Sequence, residues 1–150
     1  MTLKIPPLLL IILFLLLAWL VAVLTPTLTV SDSVRWGWLS LWSIFGVVFA
    51  AAGILAFRRQ GTTVDPRVPQ QASSLVCTGI YCVSRNPMYV GFAGILLGWI
   101  GFLASPVALL LLPLFIRYLT VFQIKAEEAA LRQRFGIAFD RYCLRVRRWL

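Results

Sequence analysis

The chain has 150 residues, 61% of them hydrophobic and 13% charged, with 14 Lys and Arg against 5 Asp and Glu for a net charge of +9. A soluble domain is nearer half apolar and a quarter charged, so this composition excludes an ordinary soluble fold and points to a bilayer. Histidine is absent, and Cys77, Cys82 and Cys143 form no CxxC pair, which argues against Cys/His metal sites and excludes serine–histidine and cysteine–histidine nucleophiles.

Residues 5–24 are apolar throughout and open on Pro6-Pro7, which suits a first helical turn. At about 1.5 Å per residue such a run crosses a bilayer, and no small-x-small cleavage site follows, so it reads as a retained span rather than a cleaved leader. The second run, residues 36–57, has Trp36, Trp38 and Trp42 at one end and Arg58-Arg59 at the other, an aromatic belt opposite a basic stop. Residues 60–86 form the long connection; "SSLVCTGIY" within it is too apolar for a solvated linker and predicts packing against another part of the chain. Residues 87–103 and 106–122 form a helical hairpin closed by the "ASP" turn at Ala104–Pro106. From residue 123 to 150 the sequence is amphipathic and basic, a helical tail and the available partner for the long connection.

The expected fold is therefore an all-α membrane bundle of four spans with an amphipathic tail. Lys4, Arg58, Arg59, Arg67, Arg85 and the basic tail all fall on one side, against Arg35 and Asp32 in the first opposite loop. Both chain ends are accordingly expected in the cytoplasm, at the inner membrane if the source is bacterial. Because the cations flank apolar runs, they imply no nucleic-acid partner.

Polar residues at the mouth of the third span then gather on that side. Asn86-Pro87 has the form of a helix start, a capping asparagine followed by proline at the first helical position; Tyr81, Tyr89 and the folded-back connection converging on the same face suggest a site as well. Gly91, Gly94, Gly98 and Gly101 share one helical face, favouring close helix packing over space for a ligand or lipid tail. Glu128 has Arg132 and Lys125 within helical reach and reads as a surface ion pair. Glu127 has no local cation and shares a face with Ile124, Leu131 and Phe135, so it reads as an inward carboxylate with a functional purpose. Arg117, in the last turns of the fourth span, either snorkels to the surface or meets substrate.

The paired segments "LVCTGIYCVSRNPMYVG" and "EEAALRQRFGIAFDRYCLRV" resemble the isoprenylcysteine carboxyl methyltransferase and phospholipid methyltransferase superfamily over about residues 75–149. The resemblance implies a membrane enzyme that uses S-adenosylmethionine, held in a cytoplasmic pocket closed by the connection and the tail, with a lipid-like or prenylated substrate entering from the bilayer. Carried over residue by residue, it implies cofactor contacts at Ser74, Leu75, Val76, Tyr81, Asn86, Pro87, Met88, Tyr89 and Glu127; Gln123, at the position of a family substrate residue, and Arg117, from its place in the span, are the candidate substrate contacts. Eukaryotic prenylcysteine enzymes carry histidine where this chain has Asn86, and an arginine for the substrate carboxylate where it has Gln123. Displacement at a sulfonium needs alignment more than acid–base catalysis, so a histidine-free site suits it. A phospholipid amine N-methyltransferase of the same superfamily, a nicotinamide-dependent membrane reductase and a non-enzymatic membrane subunit are the alternatives; a small transporter fits poorly with so few polar residues in the spans.

Overall fold

The computed structural model describes residues 5–60 and 74–150. Most of the first half of the expected connection, residues 61–73, with Arg67, lies outside the described residues, as does Lys4.

The described chain is all-helical, an α-helical membrane bundle. Helix α1 spans Pro7–Leu24, with proline at its first position where the missing N–H costs nothing. Helix α2, Asp32–Arg59, begins four residues earlier than its tryptophans suggested, because Asp32 and Ser33 start the helix in the polar loop; Arg58 and Arg59 close it at the negative end of its dipole. Helix α3, Pro87–Leu103, has the boundaries read from the sequence. Three helical runs are long and apolar enough to cross a membrane: α1, α2 and the run Ala108–Phe135. At 17 residues α3 is shorter, at the lower end of spanning length.

The α3 hairpin closes at Ala104, whose φ of 51° reverses the chain. Its carbonyl accepts from the Leu28 N–H at 2.8 Å, and the buried Ser105 hydroxyl accepts from the Ala108 N–H at 3.2 Å. The returning run does not stop at residue 122, where polarity changes. A 3-10 turn at Ala108–Leu110 leads into α4, Leu111–Tyr118; a π-turn at Leu119–Ile124 follows, and α5, Lys125–Phe135, continues without a break. Nothing between residues 114 and 135 is glycine or proline, so a change of polarity alone cannot end the helix. Gly136, at φ 49°, makes the actual stop, and α6, Ile137–Arg145, turns back from it.

α3 is the central element. One face carries Tyr89, Leu96 and Ile100 into a core with Leu10, Ile11 and Ala18 of α1 and Ala108, Phe115, Leu119 and Ile124 of the last run. The glycine face lies against α2. A Cβ at Gly91 would sit 2.5 Å from the Gly46 carbonyl oxygen, one at Gly94 would sit 2.9 Å from the Phe45 ring, and one at Gly98 would sit 2.9 Å from the Trp42 Cβ. The glycines therefore serve helix packing, which in lipid depends on close backbone approach rather than on expulsion of water. Trp38 Nε1 donates to the Leu97 carbonyl at 3.1 Å, and Arg35 Nε donates to the Phe102 carbonyl at 2.6 Å, satisfying the end of α3.

Candidate functional site

At the opposite end of α3, Pro87 fixes the first turn and places Tyr89 inward, where it is buried. Its hydroxyl donates to Glu127 Oε1 at 2.5 Å. Gln123, 4% exposed and one turn before Glu127, donates its amide to the same oxygen at 2.8 Å. Both donors are neutral, both fall on one oxygen, and no Lys or Arg of the described residues pairs with Glu127. Glu127 is thus not left bare, as the helical pattern alone suggested. It is a half-buried carboxylate oriented through one oxygen, with no donor on Oε2 among the described residues. The π-turn carries Gln123, and π-turns recur where a side chain is re-aimed at a functional site.

Tyr81 stands on a 3-10 turn, Gly79–Cys82, with its ring edge-on to Phe57 of α2 at 5.3 Å. Burial pushes its phenol well above the usual tyrosine range, and Tyr142 and then Glu127 add to the shift. Its carbonyl accepts from the Tyr142 hydroxyl at 2.7 Å, and burial likewise raises the Tyr142 phenol. Leu75 and Cys77 pack onto Phe139, Tyr142 and Val146 of the tail. Burial raises the Cys77 thiol too, with the neighbouring Cys82 next in effect, as for a packing cysteine rather than a nucleophile.

The tail is tied to the entrance of α3 by polar bonds that the sequence pattern did not reveal. Arg85 donates its backbone N–H to the Arg147 carbonyl at 3.0 Å, and its guanidinium meets Cys143 Sγ and lies 3.3 Å from Glu128 Oε1. Arg148 grips Glu128 in a fork, Nε to Oε1 at 2.9 Å and Nη2 to Oε2 at 2.7 Å, and this bond raises the Arg148 pKa. Glu128 is therefore not the surface partner of Arg132 and Lys125: its side chain is 12% exposed between two arginines, while Arg132 pairs with Asp140 at 2.8 Å. Partners twenty and forty-three residues away in sequence outcompete the local ones because burial strengthens them.

Asn86 occupies the N-cap position of α3 but makes no side-chain cap; its amide donates to the Arg148 carbonyl at 2.9 Å. Its backbone N–H is taken by Ser84 Oγ at 3.0 Å. Among the other expected contact residues, Pro87 and Met88 lie against Gly53 of α2, Val76 is buried, and Ser74 donates to Gln60 Oε1 at 3.4 Å. Arg117 is exposed on α4 with no polar partner among the described residues. The structure thus gathers Tyr89, Gln123 and Glu127, stands Tyr81 against Phe57 and Tyr142, commits Asn86 to the tail backbone, and leaves Ser74 and Arg117 engaged elsewhere or free. Arg85, Glu128 and Arg148 are the polar residues at this site that sequence reasoning missed; "SRNP" beside the basic "RVRR" was the available signal.

Among the described residues no group of His, Cys, Asp and Glu could hold a metal ion. An uncharacterized protein of Haemophilus influenzae is 41% identical over 63 residues, covering 42% of this chain and 100% of that protein. No solved structure matches. The family model described as phospholipid methyltransferase matches residues 38–138, from the tryptophans of α2 through Tyr89, Gln123 and Glu127 into α6. With more than half its length matched, the chain belongs to the phospholipid methyltransferase family, within the isoprenylcysteine and phospholipid methyltransferase superfamily.

Proposed function

We propose that the chain is an S-adenosylmethionine-dependent methyltransferase, isoprenylcysteine carboxyl methyltransferase-like, acting on a lipid-like acceptor that enters from the bilayer on the cytoplasmic side. One observation carries the reading: Glu127 is held by Tyr89 and Gln123 through Oε1, and no Lys or Arg of the described residues pairs with it. A half-buried carboxylate in that state suits hydroxyl or ammonium donors from a ligand, and the donor set fits this cofactor, which offers both. When bound, the cofactor supplies an electrophilic methyl group on a cationic sulfur. Tyr89 and Gln123 keep the carboxylate in one orientation. No general base is required of the protein for displacement itself; its contribution is alignment and exclusion of water.

A second reading, transfer to a phospholipid amine, is favoured by one contact. Gln123 stands where prenylcysteine enzymes place an arginine for a substrate carboxylate, and here its amide is spent on Glu127. A site with a carboxyl group and no paired Lys or Arg among the described residues suits an amine acceptor better than a carboxylate.

The test is calorimetric titration of purified protein with S-adenosylmethionine and with NADPH. Binding of the first and not the second is expected. Glu127→Gln keeps the shape but removes the charge, so its affinity for S-adenosylmethionine should fall about tenfold or more, as loss of a charge-assisted bond worth roughly 1.5–3 kcal/mol requires. An unchanged melting temperature would show that the fold is intact. Binding of NADPH alone would replace this reading with that of a reductase, and equal affinity in Glu127→Gln would remove Glu127 from the site.

A further inference from the structure

Helix α6 packs one face inward through Phe139 and Tyr142 and leaves the opposite face uncovered. On that face Ile137, Arg141, Leu144 and Arg145 follow one another at helical spacing, with Ile137 72% and Leu144 88% exposed. Beyond the helix, Arg147 is exposed and Leu150 is 58% exposed. Arg132 is neutralised by Asp140, whereas Arg141, Arg145 and Arg147 have no acidic partner among the described residues.

The height of this face relative to the bilayer follows from the fold. After Gly136 the chain runs back along α5, and the indole N–H of Trp149 donates to Thr120 Oγ1 at 3.1 Å. Thr120 lies fifteen residues before Phe135 on a continuous helical run, roughly 22 Å lower along its axis. It is flanked by Val121 and Phe122, which are exposed apolar residues of a membrane-spanning run. The tail therefore folds back to the level of Thr120, three residues before the polarity of the run changes at residue 123, carrying Leu144, Arg145, Arg147 and Leu150 with it.

We propose that this outer face of the tail is a binding surface for anionic phospholipid headgroups of the membrane in which the chain sits. Arg141, Arg145 and Arg147 would lie in the phosphate layer, with Leu144 and Leu150 at the acyl boundary beneath it. The charge selects the partner: apolar residues alone would seat equally well on any bilayer, whereas three unpaired arginines gain only from a negative surface.

The test uses the full chain in phosphatidylcholine nanodiscs with and without phosphatidylglycerol, read by amide hydrogen exchange over residues 137–146. Each arginine near an anionic surface is worth roughly a fivefold factor, so exchange should slow by at least about tenfold when phosphatidylglycerol is present. High salt should abolish the slowing, and the triple variant Arg141→Gln/Arg145→Gln/Arg147→Gln should not gain it. Equal exchange in both nanodiscs, slowing that salt leaves untouched, or slowing retained by the triple variant would overturn the proposal. Should the variant fail to fold, the salt titration of the unaltered chain decides alone.

Discussion

Glu127 and Glu128 are neighbours in the chain, yet among the described residues one is met only by neutral donors and the other is enclosed by two guanidinium groups. Local spacing assigns Glu128 to Lys125 and Arg132, an exposed arrangement worth only about 0.3–0.5 kcal/mol. The structure reverses the forecast. Glu128→Gln leaves Arg85 and Arg148 facing each other with no carboxylate between them, and Arg85 Nε is already buried without a partner. Breaking a buried ion pair from one side costs on the order of 3 kcal/mol, so Glu128→Gln should lower the melting temperature clearly, whereas Glu127→Gln should not. Thermal denaturation of the two variants side by side checks this; equal midpoints would mean that the Arg85–Glu128–Arg148 cluster holds nothing together.

Among the elements, the pairing of α2 with α3 makes the sharpest demand. At Gly91 an added methyl meets the Gly46 carbonyl, a backbone atom that cannot swing aside. Gly91→Ala should therefore push the helices apart at a cost of about 1–3 kcal/mol. Gly37, on the same helix α2, has nothing within 4 Å of an added Cβ, and Gly37→Ala should be neutral or stabilising by up to about 1 kcal/mol. A larger loss of stability in Gly37→Ala than in Gly91→Ala would contradict the packing described here. This interface was readable in the sequence, because glycines at helical spacing leave a mark that needs no knowledge of the partner. So were the bounds of α3, set by Pro87 at one end and the turn after Leu103 at the other. The end of the last run was not, because polarity changes at residue 123 while helical propensity persists to Gly136.

For the molecule as a whole, we propose from the one-sided cation distribution an orientation with both described ends in the cytoplasm. A cysteine placed at Thr27 or Asp32 should react with an impermeant reagent added to intact cells, and one placed at Gln133 should not. Labelling at Gln133 would invert the topology, and with it the side from which Tyr89 and Glu127 are reached. The site itself was only partly legible. Tyr89 and Glu127 could be singled out by motif and by the lack of a local cation, but their hydrogen bond joins residues 38 positions apart. The bond from Asn86 to Arg148 joins positions 62 apart, and a residue that caps well locally gives no sign that its amide is committed elsewhere. Such bonds are settled by how the tail folds back, which depends on Gly136 and on the burial of Phe139 and Tyr142 together.

The π-turn at Leu119–Ile124 has a consequence of phase. A π-turn is a helix holding one residue more than its α-helical register needs, so everything before it is rotated by about 100° relative to everything after. Phe115, upstream, can face the bundle core while Glu127, downstream, faces Tyr89, and an unbroken α-helix would aim these two side chains along different directions. Removal of a single residue from this turn would leave the helix and its apolar length in place and turn Glu127 away from α3. The extra residue acts as an angular spacer, and the alignment of the carboxylate depends on chain length at this turn as much as on the identity of the side chains around it.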